Sequence, residues 1–169
     1  MLAGMKCKCA QQAKIDIIEF EPCLASDFRR LNIEWLQRYF VIEPADELVL
    51  NKPVETIIEP GGAILFARVG GGVVGTCALI TEPDNPGHFE LAKMAVTHVY
   101  QAQGIGRRLL HAALDKYKVL GGTHLHLETS SKLPIAIQLY SSVGFRQVDR
   151  RGGPSIYARA DVYMTYFPQ

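Results

Sequence analysis

The chain has 169 residues, of which 48% are hydrophobic and 21% charged, a composition that suits one soluble globular domain with a buried core. Lys and Arg number 18 against 17 Asp and Glu, for a formal charge of +1 spread along the chain. That balance excludes an electrostatic footprint for nucleic acid or an anionic membrane, so any bound anion must be held by local groups.

No apolar run approaches the roughly 20 residues of a membrane span, and the start MLAGMKCKCAQQAK lacks a signal-peptide pattern, so a cytoplasmic protein is expected. Residues 1–13 read as a flexible N-terminal extension and residues 14–169 as a single domain. Cys7 and Cys9 form a lone C-x-C, while Cys23 and Cys77 stand apart. Neither a disulfide framework nor a zinc knuckle is expected from such spacing, and no metal site.

In chain order, KIDIIEF (Lys14 to Phe20) alternates as a first strand. SDFRRLNIEWLQRYF follows as a helix with Ser26 or Asp27 as N-cap and Phe28, Leu31, Trp35 and Leu36 on one face. A short second helix is predicted between Pro44 and Pro53, and GGAILFARV and VVGTCALI, separated by Gly-Gly-Gly, read as a hairpin. PDNPG is a turn, HFELAKMAV a fourth strand, and Ile105 to Leu120 a helix with apolar residues at spacings of three and four, stopped by Gly121-Gly122. THLHLET alternates as a fifth strand, Pro134 suits the first turn of a helix through Val143, and FRQVDR and DVYMTYF close as strands. The fold class expected is α/β (α+β), a mixed sheet flanked by helices.

VYQAQGIGRRLL, between the fourth strand and the long helix, has the arrangement in which backbone N–H groups and the helix dipole converge on an anion. The dinucleotide fingerprint needs a third glycine where Leu109 stands, and a P-loop needs a Gly-Lys-Ser/Thr ending that is absent. What remains is Gln101, Gly104 and Gly106 spaced as Q-x-x-G-x-G. Upstream stands ELAKMAV; downstream AIQLYSSVGF spaces Ala136, Tyr140, Gly144 and Phe145 as A-x-x-x-Y-x-x-x-G-F. In this order the three motifs, covering Phe89 to Phe145, resemble the GNAT superfamily of acetyl-CoA-dependent N-acetyltransferases. His98 and Ala102 depart from its usual loop, and Leu133 stands where relatives often carry an asparagine that contacts the pantetheine arm.

The resemblance implies a mostly antiparallel sheet of about seven strands with about four helices. It also implies an enzyme that binds acetyl-CoA as co-substrate and passes the acetyl group to a primary amine of a small molecule or peptide. An alkylamine with a pKa of about 10.4 is mostly protonated at neutral pH and needs a base, for which the resemblance offers Glu90 at the start of ELAKMAV. By strand parity Lys93 faces away from Glu90 unless a bulge intervenes. Met94, Ala95 and Val96 would supply backbone groups to the thioester and pantetheine, and Tyr140 a proton for the leaving thiolate. Gln103, Gly104, Ile105, Gly106 and Arg107 would present N–H groups to the pyrophosphate, with Gln101 adding side-chain bonds, Ser131 or Ser130 standing in for the lost asparagine, and Ala136 leaving room for the coenzyme. Glu34, Trp35, Tyr39 and Tyr157 are the acceptor-lining residues implied.

His124, His126 and Glu128 share one face of a strand and read as its polar side rather than as zinc ligands. PSIYARADVYM and LETSSKLPIAIQLYSSVGF also look like the GNAT domains fused behind MarR-type regulators, although no such preceding domain is expected here. That similarity keeps two other readings open: a sensor that binds acetyl-CoA without turnover, and transfer of a longer acyl group. No nucleic-acid or membrane partner is expected, and a homodimer is left open.

Overall fold

This computed structural model describes residues 14–150 and 154–168. Strand β1 (Ile15–Glu19) runs antiparallel to β2 (Ala63–Val69), which turns at Gly70-Gly71 into β3 (Gly72–Thr81). β4 (His88–Val96) is antiparallel to β3 and parallel to β5 (His124–Thr129). β6 (Phe145–Gln147) and β7 (Val162–Tyr166) complete a seven-stranded sheet in the order β1-β2-β3-β4-β5-β7-β6, with β4–β5 its parallel pair. The expected mixed, mostly antiparallel sheet is therefore present.

Among the described residues four α-helices cover it: α1 (Ala25–Tyr39), α2 (Pro44–Asn51), α3 (Ile105–Val119) and α4 (Pro134–Ser141). On one face α3 buries Leu109, Leu110, Ala113 and Tyr117 against Cys77, Leu79, Phe89, Leu91 and Leu127 of the strands. On the other, Phe28 and Leu36 of α1 and Leu50 of α2 pack on Ile64, Phe66 and Ala78. Each such fully buried large side chain contributes about 1.5–3 kcal/mol, so the sheet is held from both sides. Among the described residues no helix is long and apolar enough to cross a membrane.

Two local readings change. Helix α1 starts at Ala25, with Leu24 as N-cap, because a 3₁₀ turn at Pro22–Leu24 runs directly into it. Ser26 and Asp27 thus lie inside the first turn, where the Asp27 carboxylate meets Arg30 at 2.7 Å. A π-helical turn at Val54–Ile58, unsignalled in the sequence, buries Ile57 between α2 and β2. The proposed N-terminal extension, with Cys7 and Cys9, lies outside the described residues.

Candidate active site

β4 and β5 pair only at His88, Phe89 and Glu90, opposite His124, Leu125 and His126. Beyond Glu90 the two strands part, β5 being taken up by β7 from His126 to Thr129. Among the described residues the edge of β4 from Leu91 to Val96 is thereby left without a strand partner on that side, and a cavity of about 380 Å³ opens along it. Its walls include Trp35, Tyr39 and Phe40 from the end of α1, Met94, Ala95 and Val96 from β4, Gln101 and Gly106 from the turn, Ser130 after β5, and Ala136 and Tyr140 from α4.

β4 carries a bulge opposite β3: Ala78 faces Ala92 but Thr76 faces Ala95. Lys93 occupies it with φ +53, a left-handed backbone that costs a non-glycine residue about 1–2 kcal/mol. The bulge inverts parity, so Lys93 emerges on the α1–α2 side, as Glu90 does, rather than opposite it. Its ammonium meets Asp46 Oδ1 at 2.8 Å and donates to the Tyr157 hydroxyl at 2.9 Å.

At the turn, Gly104 adopts φ +78 with open space where a Cβ would stand, and Ala102 φ +58. The first helical hydrogen bond of α3 is donated by Arg108 to Gly104 O at 3.1 Å. Among the described residues the amide groups of Gln103 to Arg107 have no acceptor, so the turn presents a row of free donors at a helix N-terminus. These donors fit a pyrophosphate. The glutamine side chains do other work: Gln101 donates to Val96 O at 3.0 Å and Gln103 to Val99 O at 3.1 Å, bracing the turn. Ile105 is buried in the core and Arg107 is exposed.

Glu90 lies half-buried in the cavity wall, and its carboxyl is pushed up to about 7. Burial is the largest cause and the neighbouring Glu128 and Glu82 add to it, while Lys93 and Arg150 oppose the rise. Tyr140 has its hydroxyl 3.7 Å from Met94 Sδ, and burial raises its pKa further above the ordinary phenol range, so the hydroxyl stays protonated throughout the neutral range.

Other expected positions fall outside the cavity. Ser131 is bound to Asp161, through its N–H at 2.7 Å and its hydroxyl at 2.6 Å, and it is the buried Ser130 that reaches the wall. Glu34 accepts from the Thr97 hydroxyl at 2.6 Å and from His98 N at 3.3 Å, which ties α1 to the loop after β4. Trp35, Tyr39 and Tyr157 do line the cavity.

Among the polar residues there that carried no functional reading in the sequence are Asp46, Glu128 and Arg159. Asp46 is fully buried, accepts from Glu43 N at 3.1 Å, and takes both guanidinium nitrogens of Arg159 at 2.7 Å. These bonds hold its carboxyl below the usual range despite burial. The pattern Glu43-Pro44-Ala45-Asp46 signals a helix start, which is the trace of this site in the sequence. On β5, His126 is buried and stacked on Tyr163 at 5.0 Å, so that end of the expected polar face is covered by β7. Among the described residues no group of three or more His, Cys, Asp or Glu is arranged to hold a metal.

The family model described as "Acetyltransferase (GNAT) family" matches residues 26–145. N-alpha-acetyltransferase RimI of Mycobacterium tuberculosis is 34% identical over 108 residues, 63% of this chain and 66% of that protein. The ribosomal protein bS18-alanine N-acetyltransferase of Escherichia coli K12 is 35% identical over 80 residues, 46% of this chain and 54% of that one. The chain thus aligns with about two thirds of the first relative and about half of the second. A crystal structure of a GNAT-family acetyltransferase from Staphylococcus aureus Mu50 has a TM-score of 0.81 at 23% identity, covering 90% of this chain and 98% of its own.

Proposed function

Since the chain belongs to the acetyltransferase (GNAT) family, we propose that it is an acetyl-CoA-dependent N-acetyltransferase whose acceptor is a primary amine of a peptide or small molecule. The observation that carries this reading is the single cavity that runs from the turn at Gln101 and Gly106, along the unpaired edge of β4, to Glu90. In our reading the free N–H groups of Gln103 to Arg107 hold the coenzyme's pyrophosphate, and Ser130 and Ala136 border its arm.

Acetyl-CoA is the second substrate and brings the thioester. Glu90, titrating near neutrality, takes a proton from the ammonium form of the acceptor and passes it to solvent. The free amine nitrogen bonds to the thioester carbonyl carbon, and backbone donors of the bulged β4 face the charge that gathers on its oxygen. The C–S bond breaks as Tyr140 hands its proton to the departing sulfur; the surplus proton on nitrogen passes to Glu90 and on to bulk, and the Tyr140 phenolate takes a proton back from solvent. The products are an N-acetyl amide and the free thiol.

Between peptide and small-molecule acceptors, one relative is named an N-alpha-acetyltransferase and the other a ribosomal protein bS18-alanine N-acetyltransferase, which favours testing short peptides first. Thiol release is measured with acetyl-CoA and a panel of peptide N-termini and small amines. Release with at least one acceptor, lost or reduced about 100-fold in Glu90→Gln, supports the reading. Coenzyme binding by calorimetry with no thiol release from any amine would instead mark a sensor, and preference for a longer acyl-CoA would change the donor.

A further inference from the structure

We propose that Lys93 is a positioning residue of this cleft: its ammonium, moored to Asp46 on α2 and to Tyr157, fixes the β4 bulge and sets the charge that faces Glu90. The proposal rests on Glu90 acting as the base. Three observations meet at this side chain. It sits at the left-handed position of the bulge, φ +53, where the backbone gains nothing from a lysine and glycine would be unstrained. Its side chain is only 6% exposed, and it is paired at 2.8 Å with an Asp46 that is fully buried. It also lies over the Tyr157 ring at 4.5 Å, and Arg159 lies over the same ring at 4.4 Å.

A buried lysine at a strained position is costly unless something is gained by holding it there. The gain in this fold is a link across three elements. Asp46 grips Lys93 from β4 and Arg159 from the segment before β7, so the acceptor end of the cavity cannot widen without breaking buried, charge-assisted bonds. The groups that set the field at Glu90 are Lys93 on its own strand, Glu128 on β5, Glu82 before β4, and Arg150 and Tyr157 between β6 and β7. His126 lies opposite Glu90 in the strand register, and burial lowers its pKa below the ordinary imidazole value. Lys93 and Arg150 are the cations of that set, and Arg150 is already bound to Glu128 at 2.6 Å.

The test compares Lys93→Met, Lys93→Arg and Lys93→Gly with the unaltered chain, reading kcat/KM for the amine against pH at saturating acetyl-CoA. Lys93→Met removes the charge and keeps the strain; Lys93→Gly removes both, and carries the same test should the Met variant not fold. In both, the acidic limb is expected to move up by about one pH unit, with kcat lowered and KM for acetyl-CoA within about twofold. Lys93→Arg restores the limb. A limb that stays in place in the Met and Gly variants, but vanishes in Glu90→Gln, overturns the role of Lys93 and leaves the base intact. A limb that survives in Glu90→Gln overturns both.

Discussion

In the proposed mechanism, Glu90 stands where the needs of catalysis oppose those of folding. Its carboxyl titrates at about 7 in the folded chain against an ordinary value of 4.5. Because the folded value is raised, the protonated acid's contribution is fully present below pH 4.5 and is lost as pH rises through 7. Glu90→Gln is therefore expected to be more stable than the unaltered chain at pH 8, by up to about 3 kcal/mol, with the two converging near pH 4. Urea unfolding at the two pH values measures this, and equal stability at pH 8 would show that the carboxylate is well solvated. Tyr140→Phe keeps the ring that packs on Phe145 at 6.0 Å and removes the hydroxyl. Its kcat is expected to fall about 10- to 100-fold with little change in KM, read from thiol release. Both residues were legible as candidates from their motif strings, whereas Lys93 was not, because strand parity holds only until a bulge breaks it.

At the scale of elements, the turn before α3 and the bulge of β4 do comparable jobs by different means. The turn needs glycine for its dihedral rather than for room, since no atom lies within 4 Å of a Cβ built at Gly104. Gly104→Val is expected to cost about 1–2 kcal/mol of stability through the left-handed strain. By displacing the free N–H groups it should also weaken acetyl-CoA binding at least about tenfold, or about 1.4 kcal/mol, by calorimetry. Unchanged affinity would remove the turn from the binding site. The stop of α3 needs glycine for room: a Cβ at Gly122 would stand 1.9 Å from the Tyr117 ring, which is packed edge-on against Phe89 and Tyr166. Element order could be read directly because each strand and helix carries its own period. The π-helical turn at Val54–Ile58 and the start of α1 could not, since both depend on how neighbouring turns run together.

For the whole molecule, the cleft is a consequence of sheet topology. β5 leaves β4 after three paired residues to join β7, so the fold itself keeps a strand edge open in the middle of the sheet. A coenzyme filling that gap binds only the folded chain. Acetyl-CoA at 100 times its Kd is expected to add about 2.7 kcal/mol and raise Tm by roughly 5–10 °C, a gain that a tenfold weaker Gly104→Val should cut to about half at the same concentration. Thermal unfolding with and without the coenzyme checks this, and an unchanged Tm would argue against a folded-state site. By itself the sequence determined the sheet-and-helix alternation, the glycine turn at the head of α3 and the strings around Glu90 and Tyr140, because periodicity, dihedral preference and short motifs act between residues close in the chain. Only the tertiary structure decided that Asp46, Lys93, Tyr157 and Arg159 meet at one end of the cavity. The hydrogen bonds among them span 47 to 113 residues of chain and hinge on a one-residue slip in β4, which no local pattern encodes.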